Sequence, residues 1–137
     1  MPTHKGDIAF PGGKVEKGDE DIISTAIRET CEELLIHEDQ INPIGILDSI
    51  NTVEFNFKVF PILCELFNVD IKIFNKGEVQ EVYLVEVNYL KDISNWHYRG
   101  LYDSDWVIKI GQDILWGATA KMTQKLLQLE FPEDTLT

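Results

Sequence analysis

The chain has 137 residues, 44% of them hydrophobic, enough for one domain to bury a core without disulfides or a structural metal. Its formal net charge is −12, with only 12 Lys and Arg scattered along it, which excludes a surface built for duplex nucleic acid. Cys31 and Cys64 have neither CxxC nor zinc spacing, and no run nears the roughly eighteen apolar residues of a membrane span, so a cytoplasmic protein with no membrane partner is expected.

In chain order, Ile8, Ala9 and Phe10 form a short extended run that ends at the turn Pro11-Gly12-Gly13. From Asp19 to Ile36 the pattern is helical, with Asp19 placed to cap and Glu20 and Asp21 in the first turn, where carboxylates suit the helix dipole. Ile23, Ile27, Cys31 and Leu34 gather on one side of this helix, the side expected to rest on a sheet. After Asn42-Pro43-Ile44-Gly45, the segments Ile46 to Ile50, Phe55 to Phe67, Val69 to Phe74 and Glu81 to Val87 are rich in Val, Ile, Phe and Tyr and read as strands. Asn75-Lys76-Gly77-Glu78 is a turn, and Tyr98 to Gly111 holds a further hairpin. Leu115, Ala118, Met122, Leu126 and Leu129 mark a closing helix over about Ile114 to Leu129, and Glu130 to Thr137 reads as a loose tail. Helix, strands, helix, without repeats or linkers, predicts a single domain over residues 1–137 of the α+β class, a mixed β-sheet sandwiched between helices.

The first helix carries the chemistry. In Arg28-Glu29-Thr30-Cys31-Glu32-Glu33, the residues Glu29, Glu32 and Glu33 stand at i, i+3 and i+4, so their side chains fall within roughly 100° of one another. They occupy the second half of the helix, where the dipole disfavours negative charge and like charges repel. A cation relieves both costs, and clustered carboxylate oxygens suit Mg²⁺ or Mn²⁺, which also hold substrate phosphates. A solvated acidic face would account for E-x-x-E-E alone. It does not account for Gly12-Gly13, a capping acid, Arg-Glu and Glu-Glu in that order over about twenty residues, where bare glycine backbone can approach a metal or phosphate.

Phe10-Pro11-Gly12-Gly13-Lys14, then Asp19, then Arg28-Glu29-Thr30-Cys31-Glu32-Glu33 resembles the Nudix box, G-x5-E-x7-R-E-U-x-E-E-x-G-U. Asp19 keeps the spacing from Gly13 with Asp in place of Glu, and the step to Arg28 is then one residue longer; Glu20 keeps the spacing to Arg28 but lies one too far from the glycine. Leu35 stands where the box has Gly, and Thr30 where it has an aliphatic residue. The longer spacing, the wording His4-x-Gly6-x-Ile8-x-Phe10-Pro11-Gly12-Gly13-Lys14, and Thr25-Ala26-Ile27-Arg28-Glu29 resemble the coenzyme A pyrophosphatase branch. So do Asn75-Lys76-Gly77-Glu78-Val79-Gln80-Glu81-Val82 and Ile114-Leu115-Trp116-Gly117-Ala118-Thr119-Ala120, and the resemblance covers about residues 4 to 128.

The resemblance implies a divalent-metal-dependent hydrolase that cleaves a pyrophosphate bond in a small nucleoside diphosphate derivative such as coenzyme A, by attack of a metal-activated water on phosphorus. It implies that Glu29, Glu32, Glu33, the Gly12 carbonyl and Glu78 bind Mg²⁺ or Mn²⁺ and that Arg28 holds the acidic side chains. Glu29, or a carboxylate of the Glu78 to Glu81 stretch, would deprotonate the water, and Gly13, Lys14 and His4 would meet the substrate. Members of the branch carry one or two strands before the His-x-Gly segment, where this chain begins. Without those strands a sheet edge is exposed and part of the substrate pocket is absent unless a partner chain or an exchanged segment fills the gap, so the expectation is either a truncated gene product or a homodimer that completes the sheet. The competing reading is a Nudix-fold nucleotide-binding or regulatory module that keeps the box but has lost turnover, with Leu35 and the short start in its favour. A third, an acidic interaction domain without phosphate chemistry, requires the box to be a coincidence.

The remaining residues read as structure. Cys31 and Cys64 are expected to pack as small apolar groups, since no base or cation is legible beside either. His97 reads as a surface histidine, and Trp96, Tyr98, Tyr102 and Trp106 as hairpin packing rather than a platform for a base.

Overall fold

The computed structural model describes residues 7–14, 16–51 and 58–132, which group into two compact units. One comprises residues 10–48 and 60–84; the other takes in the described parts of 2–9, 49–59 and 85–137. Helices and antiparallel ladders make up both, as the α+β class requires. Among the described residues no helix is long and apolar enough to cross a membrane.

The first unit opens with the Gly12-Gly13 loop and helix α1, Ile22–Leu34. Asp21 rather than Asp19 caps it, its Oδ1 accepting the Ser24 N–H at 2.8 Å. A 3-10 turn, Glu38–Gln40, leads into strand β1, Ile41–Ile46, which pairs antiparallel with β2, Ile62–Leu66. The sequence places a break at Asn42 to Gly45 and a strand from Ile46; the strand instead runs through that segment. A register shift between Pro43 and Gly45 lets the ladder absorb a proline that has no N–H to give. Gln40 closes the open end of the ladder, its side-chain amide donating to the Phe67 and Asn68 carbonyls at 2.9 and 3.0 Å.

Three further strand expectations are corrected. Of Phe55 to Phe67 only Ile62–Leu66 is strand; residues 55–57 lie outside the described residues, and Pro61 stands immediately before β2. Val69 to Phe74 is turn: Asp70 accepts the Lys72 N–H through its side chain and the Ile73 N–H through its carbonyl, so local bonds replace a ladder. Glu81 to Val87 carries β-branched and aromatic residues but joins no strand, and Val87 begins a short helix. Propensity without a pairing partner does not make a strand.

The second unit contains α2, Val87–Lys91, a 3-10 turn at Ile93–Asn95, then β3, Trp96–Tyr98, β4, Trp106–Ile110, β5, Asp113–Leu115, and α3, Gly117–Leu127. The three strands form one antiparallel sheet in the order β3-β4-β5, so Ile108 faces Trp96 on one side and Leu115 on the other and is fully buried. The hairpin expected from Tyr98 to Gly111 is thus part of a larger meander, with Gly111 turning β4 into β5 at φ 58°. Ile114 and Leu115 end the sheet instead of starting the helix. Trp96 donates its indole N–H to the Leu90 carbonyl at 2.9 Å, and Phe131 stacks on Trp106 at 4.7 Å, so the aromatic segment packs as expected and Phe131, within the expected tail, has a seat. Residues 133–137 of that tail lie outside the described residues.

Candidate functional site

The first unit places the Gly12-Gly13 loop directly on α1. The Gly12 N–H donates to Glu33 Oε2 at 3.2 Å. A methyl group on Gly13 would overlap the Glu29 carboxylate, so only glycine lets the loop come this close. Glu33 is 7% exposed and the Glu29 side chain 13%, whereas Glu32 is half exposed. This corrects the helix wheel. The covered residues of α1 are Thr25, Glu33 and Leu34, while Ile27 and Cys31 line an open groove with Ser24, Arg28 and Ile36. Of the expected face Leu34 is buried while Ile23, Ile27 and Cys31 are only partly covered, and the glycine loop buries Glu33, which patterning assigns to water.

Arg28 gathers the acids. It reaches Asp19 through Nε and NH2 at 3.0 and 3.1 Å, and NH1 lies 3.4, 3.2 and 3.5 Å from Glu16, Glu29 and Glu32. Its NH2 also donates to the Lys14 carbonyl at 3.4 Å. Asp19 is the anchor of this network: its Oδ2 accepts the Glu16 N–H at 2.7 Å and the Thr25 hydroxyl at 3.0 Å besides Arg28. Of the two acids Asp19 and Glu20, it is Asp19 that holds the arginine, while Asp21 caps the helix. The Arg28 guanidinium, then the Glu16 N–H, lower the Asp19 carboxyl from 3.8 to about 2.

Glu33 shifts the other way. Burial pushes its carboxyl up, the charges of Glu29 and Glu78 add to that, and the Gly12 N–H works against it. Glu78 is therefore near enough for its charge to be felt at Glu33. Its loop is tied to the helix by Asn75, whose N–H donates to the Glu33 carbonyl at 2.9 Å. Glu81 instead meets the Tyr83 hydroxyl at 3.5 Å. By donor type, carboxylate oxygens beside bare glycine backbone are what a hard divalent cation takes. Among the described residues, however, no group of three or more His, Cys, Asp and Glu is gathered tightly enough to hold a metal ion; Glu29 and Glu32 both turn an oxygen to Arg28.

Leu35 ends the helix in the left-handed region, at φ 53° and ψ 46°. The backbone conformation for which the box keeps glycine is thus retained with a leucine in it, and this departure no longer argues for lost function. Leu35→Gly is expected to stabilise the protein by about 0.5–1 kcal/mol, because relief of left-handed strain outweighs the added freedom of the unfolded glycine. Leu35 is 55% exposed, so little packing is lost. A rise in the urea midpoint would show this; a fall would mean that the leucine side chain supports the site.

Other expected site residues divide cleanly. Lys14 is exposed beside the glycine loop, with its carbonyl on Arg28, and His4 lies outside the described residues. His97 is exposed on β3. Burial, with the charges of Glu38 and Glu32, pushes the Cys31 thiol up, and burial does the same to Cys64; neither is a ready nucleophile. Sequence reasoning missed Glu16 and Thr25 as supports of the Arg28 network and Asn75 as the tether of the Glu78 loop. Of these only Asn75 carries a local signal, the Asn-x-Gly turn.

The NUDIX domain model matches residues 2–103. The chain is 31% identical over 137 residues to the mitochondrial coenzyme A diphosphatase NUDT8 of Mus musculus, covering 94% of this chain and 65% of that protein. With the Homo sapiens protein of the same name it shares 32% identity, over 94% of this chain and 58% of that protein. It is also 30% identical over 134 residues to the uncharacterized Nudix hydrolase NudL of Photorhabdus laumondii, 93% of this chain and 71% of that protein. The chain thus spans less than two thirds of the length of the two mammalian relatives.

Proposed function

The chain belongs to the Nudix family, and from that premise we propose that it is a Mg²⁺- or Mn²⁺-dependent hydrolase of a pyrophosphate bond, with coenzyme A as its substrate. The observation that carries this is the closure of the Gly12-Gly13 loop onto Glu33 and Glu29. It sets bare backbone beside two covered carboxylates on the helix that also carries the exposed Glu32. Coenzyme A enters from the names of the two mammalian relatives and from the longer step between Gly13 and Arg28.

Glu29, Glu32, Glu33, Glu78 and the Gly12 carbonyl are the groups that would hold the cation. Bound there, Mg²⁺ or Mn²⁺ supplies neutralisation of phosphate charge and a more acidic water. Arg28 keeps the Glu29 and Glu32 carboxylates in place and does not touch the reacting atoms. Glu29, held by Arg28 NH1, is the group we assign as base for the attacking water, and its covered, fixed position favours it over the exposed Glu78. Lys14, beside the loop, offers its ammonium to the substrate phosphates, which an acidic chain would otherwise repel. Gly13 lets those phosphates approach the backbone, and His4 is assigned to the substrate by family position alone. Both cysteines are free, which fits a reducing compartment, and we read the location as cytoplasmic.

Product analysis by mass spectrometry after incubation with Mg²⁺ and coenzyme A tests the substrate. The expected products are 4′-phosphopantetheine and adenosine 3′,5′-bisphosphate. Cleavage of NADH or ADP-ribose with coenzyme A left intact would keep the pyrophosphate chemistry and discard this substrate.

A further inference from the structure

We infer that Asn75 is a positioning residue: its side chain fixes the turn that presents Glu78 to the acidic helix, and so sets divalent-cation affinity. This rests on the metal site proposed above. Glu78 is exposed and belongs to a loop, yet its N–H bonds the carbonyl of the residue that is itself bonded to the Glu33 carbonyl. Asn75 accounts for that placement. Its N–H donates backward to the Glu33 carbonyl in the last turn of α1, at 2.9 Å. Its carbonyl accepts the N–H groups of Glu78 and Val79 at 3.1 and 2.8 Å, and its Oδ1 accepts the Gly77 N–H at 3.0 Å.

One residue therefore bonds to the helix that carries Glu33 and to three amides around Glu78. The backbone bonds survive substitution; the bond from Oδ1 does not. Without it, the bonds that remain between the loop and the other described residues are main-chain ones, and a solvent-exposed segment held so lightly samples open conformations. Glu78 then spends less time near Glu33. The site is tight as well, since a methyl group on Gly77 would sit 3.3 Å from Asn75 Oδ1.

The test is a Mn²⁺ titration of the full chain, followed by the electron paramagnetic resonance signal of the free ion, with no turnover involved. Loss of one hydrogen bond of ordinary worth predicts about fivefold weaker Mn²⁺ binding for Asn75→Ala. Asn75→Ser, whose hydroxyl can accept the same N–H, should stay within about twofold of wild type. The cycle with Glu78→Gln is decisive: if Asn75 acts through Glu78, the double variant binds no more weakly than Glu78→Gln alone. Should Asn75→Ala not fold, Gly77→Ala, which crowds the same bond, takes its place in the cycle. Wild-type affinity in Asn75→Ala, or in Gly77→Ala where it stands in, or a loss that adds in full to that of Glu78→Gln, would overturn the inference. A wild-type chain that takes up no Mn²⁺ would instead overturn the metal site itself, and the inference with it.

Discussion

Glu29→Gln is expected to lower kcat by about 10²–10⁴-fold, the range of a positioned general base, while leaving the chain folded. The amide keeps the size and the hydrogen-bonding oxygen of the carboxylate, so the contact with Arg28 NH1 can persist, and the glycine loop still meets a group of the same shape. What disappears is the charge and the proton acceptor. Stability should be unchanged or slightly higher, because Glu33, whose carboxyl is pushed up by burial and further by Glu29, loses one repelling neighbour. Steady-state rates at saturating Mg²⁺, beside the urea midpoint of the same protein, separate the two effects. A kcat within about threefold of wild type would move the base to Glu78.

Asp19→Asn has the second largest expected effect, about 10–100-fold in kcat/KM, although Asp19 is not among the groups proposed to hold the cation or the substrate. Its carboxylate holds Arg28 from two sides, and Arg28 in turn holds Glu29 and Glu32. Asparagine offers one acceptor where two are needed and sets an amide N–H against the guanidinium. Glu20→Gln, one residue on, should be silent; equal losses at both positions would mean that the register seen in the structure does not serve catalysis. The pH dependence gives a second reading of the same residue. The folded-state value of about 2 lies below the ordinary 3.8, so the stabilisation from Asp19 is complete above about pH 4 and is lost as pH falls toward 2. Asp19→Asn should flatten that part of the acid unfolding curve and leave the neutral limb unaltered in slope.

Much of the site is legible in the sequence because it is local. Glu29, Glu32 and Glu33 meet through helical spacing alone, and Gly12-Gly13 announces a loop that needs bare backbone. What is not legible depends on contacts across the fold. Asp19 and Asp21 are equally good capping residues, and only the reach of Arg28 back across nine positions assigns one to the arginine and the other to the helix. The buried face of α1 is only partly legible for a similar reason: Leu34 is buried as expected, but the Gly12 N–H and the Asn75 loop, distant in sequence, bond Glu33, so an acidic residue is buried while Ile27 and Cys31 line an open groove. In β1 the Asn42-Pro43-Ile44-Gly45 segment has every mark of a break, and the bulge that rescues it exists only in the paired strand. Val69 to Phe74 shows the converse, a strand composition overruled by the local bonds of Asp70.

The most direct test of the central claim is turnover by wild type and Glu32→Gln on coenzyme A, NADH, ADP-ribose and nucleoside triphosphates, each with Mg²⁺ and with a chelator. Hydrolysis of a pyrophosphate bond by wild type that vanishes with the chelator and in Glu32→Gln is the predicted result. Turnover indifferent to either, or none by wild type on any of these substrates, would contradict the claim that this acidic helix is a metal-dependent catalytic centre.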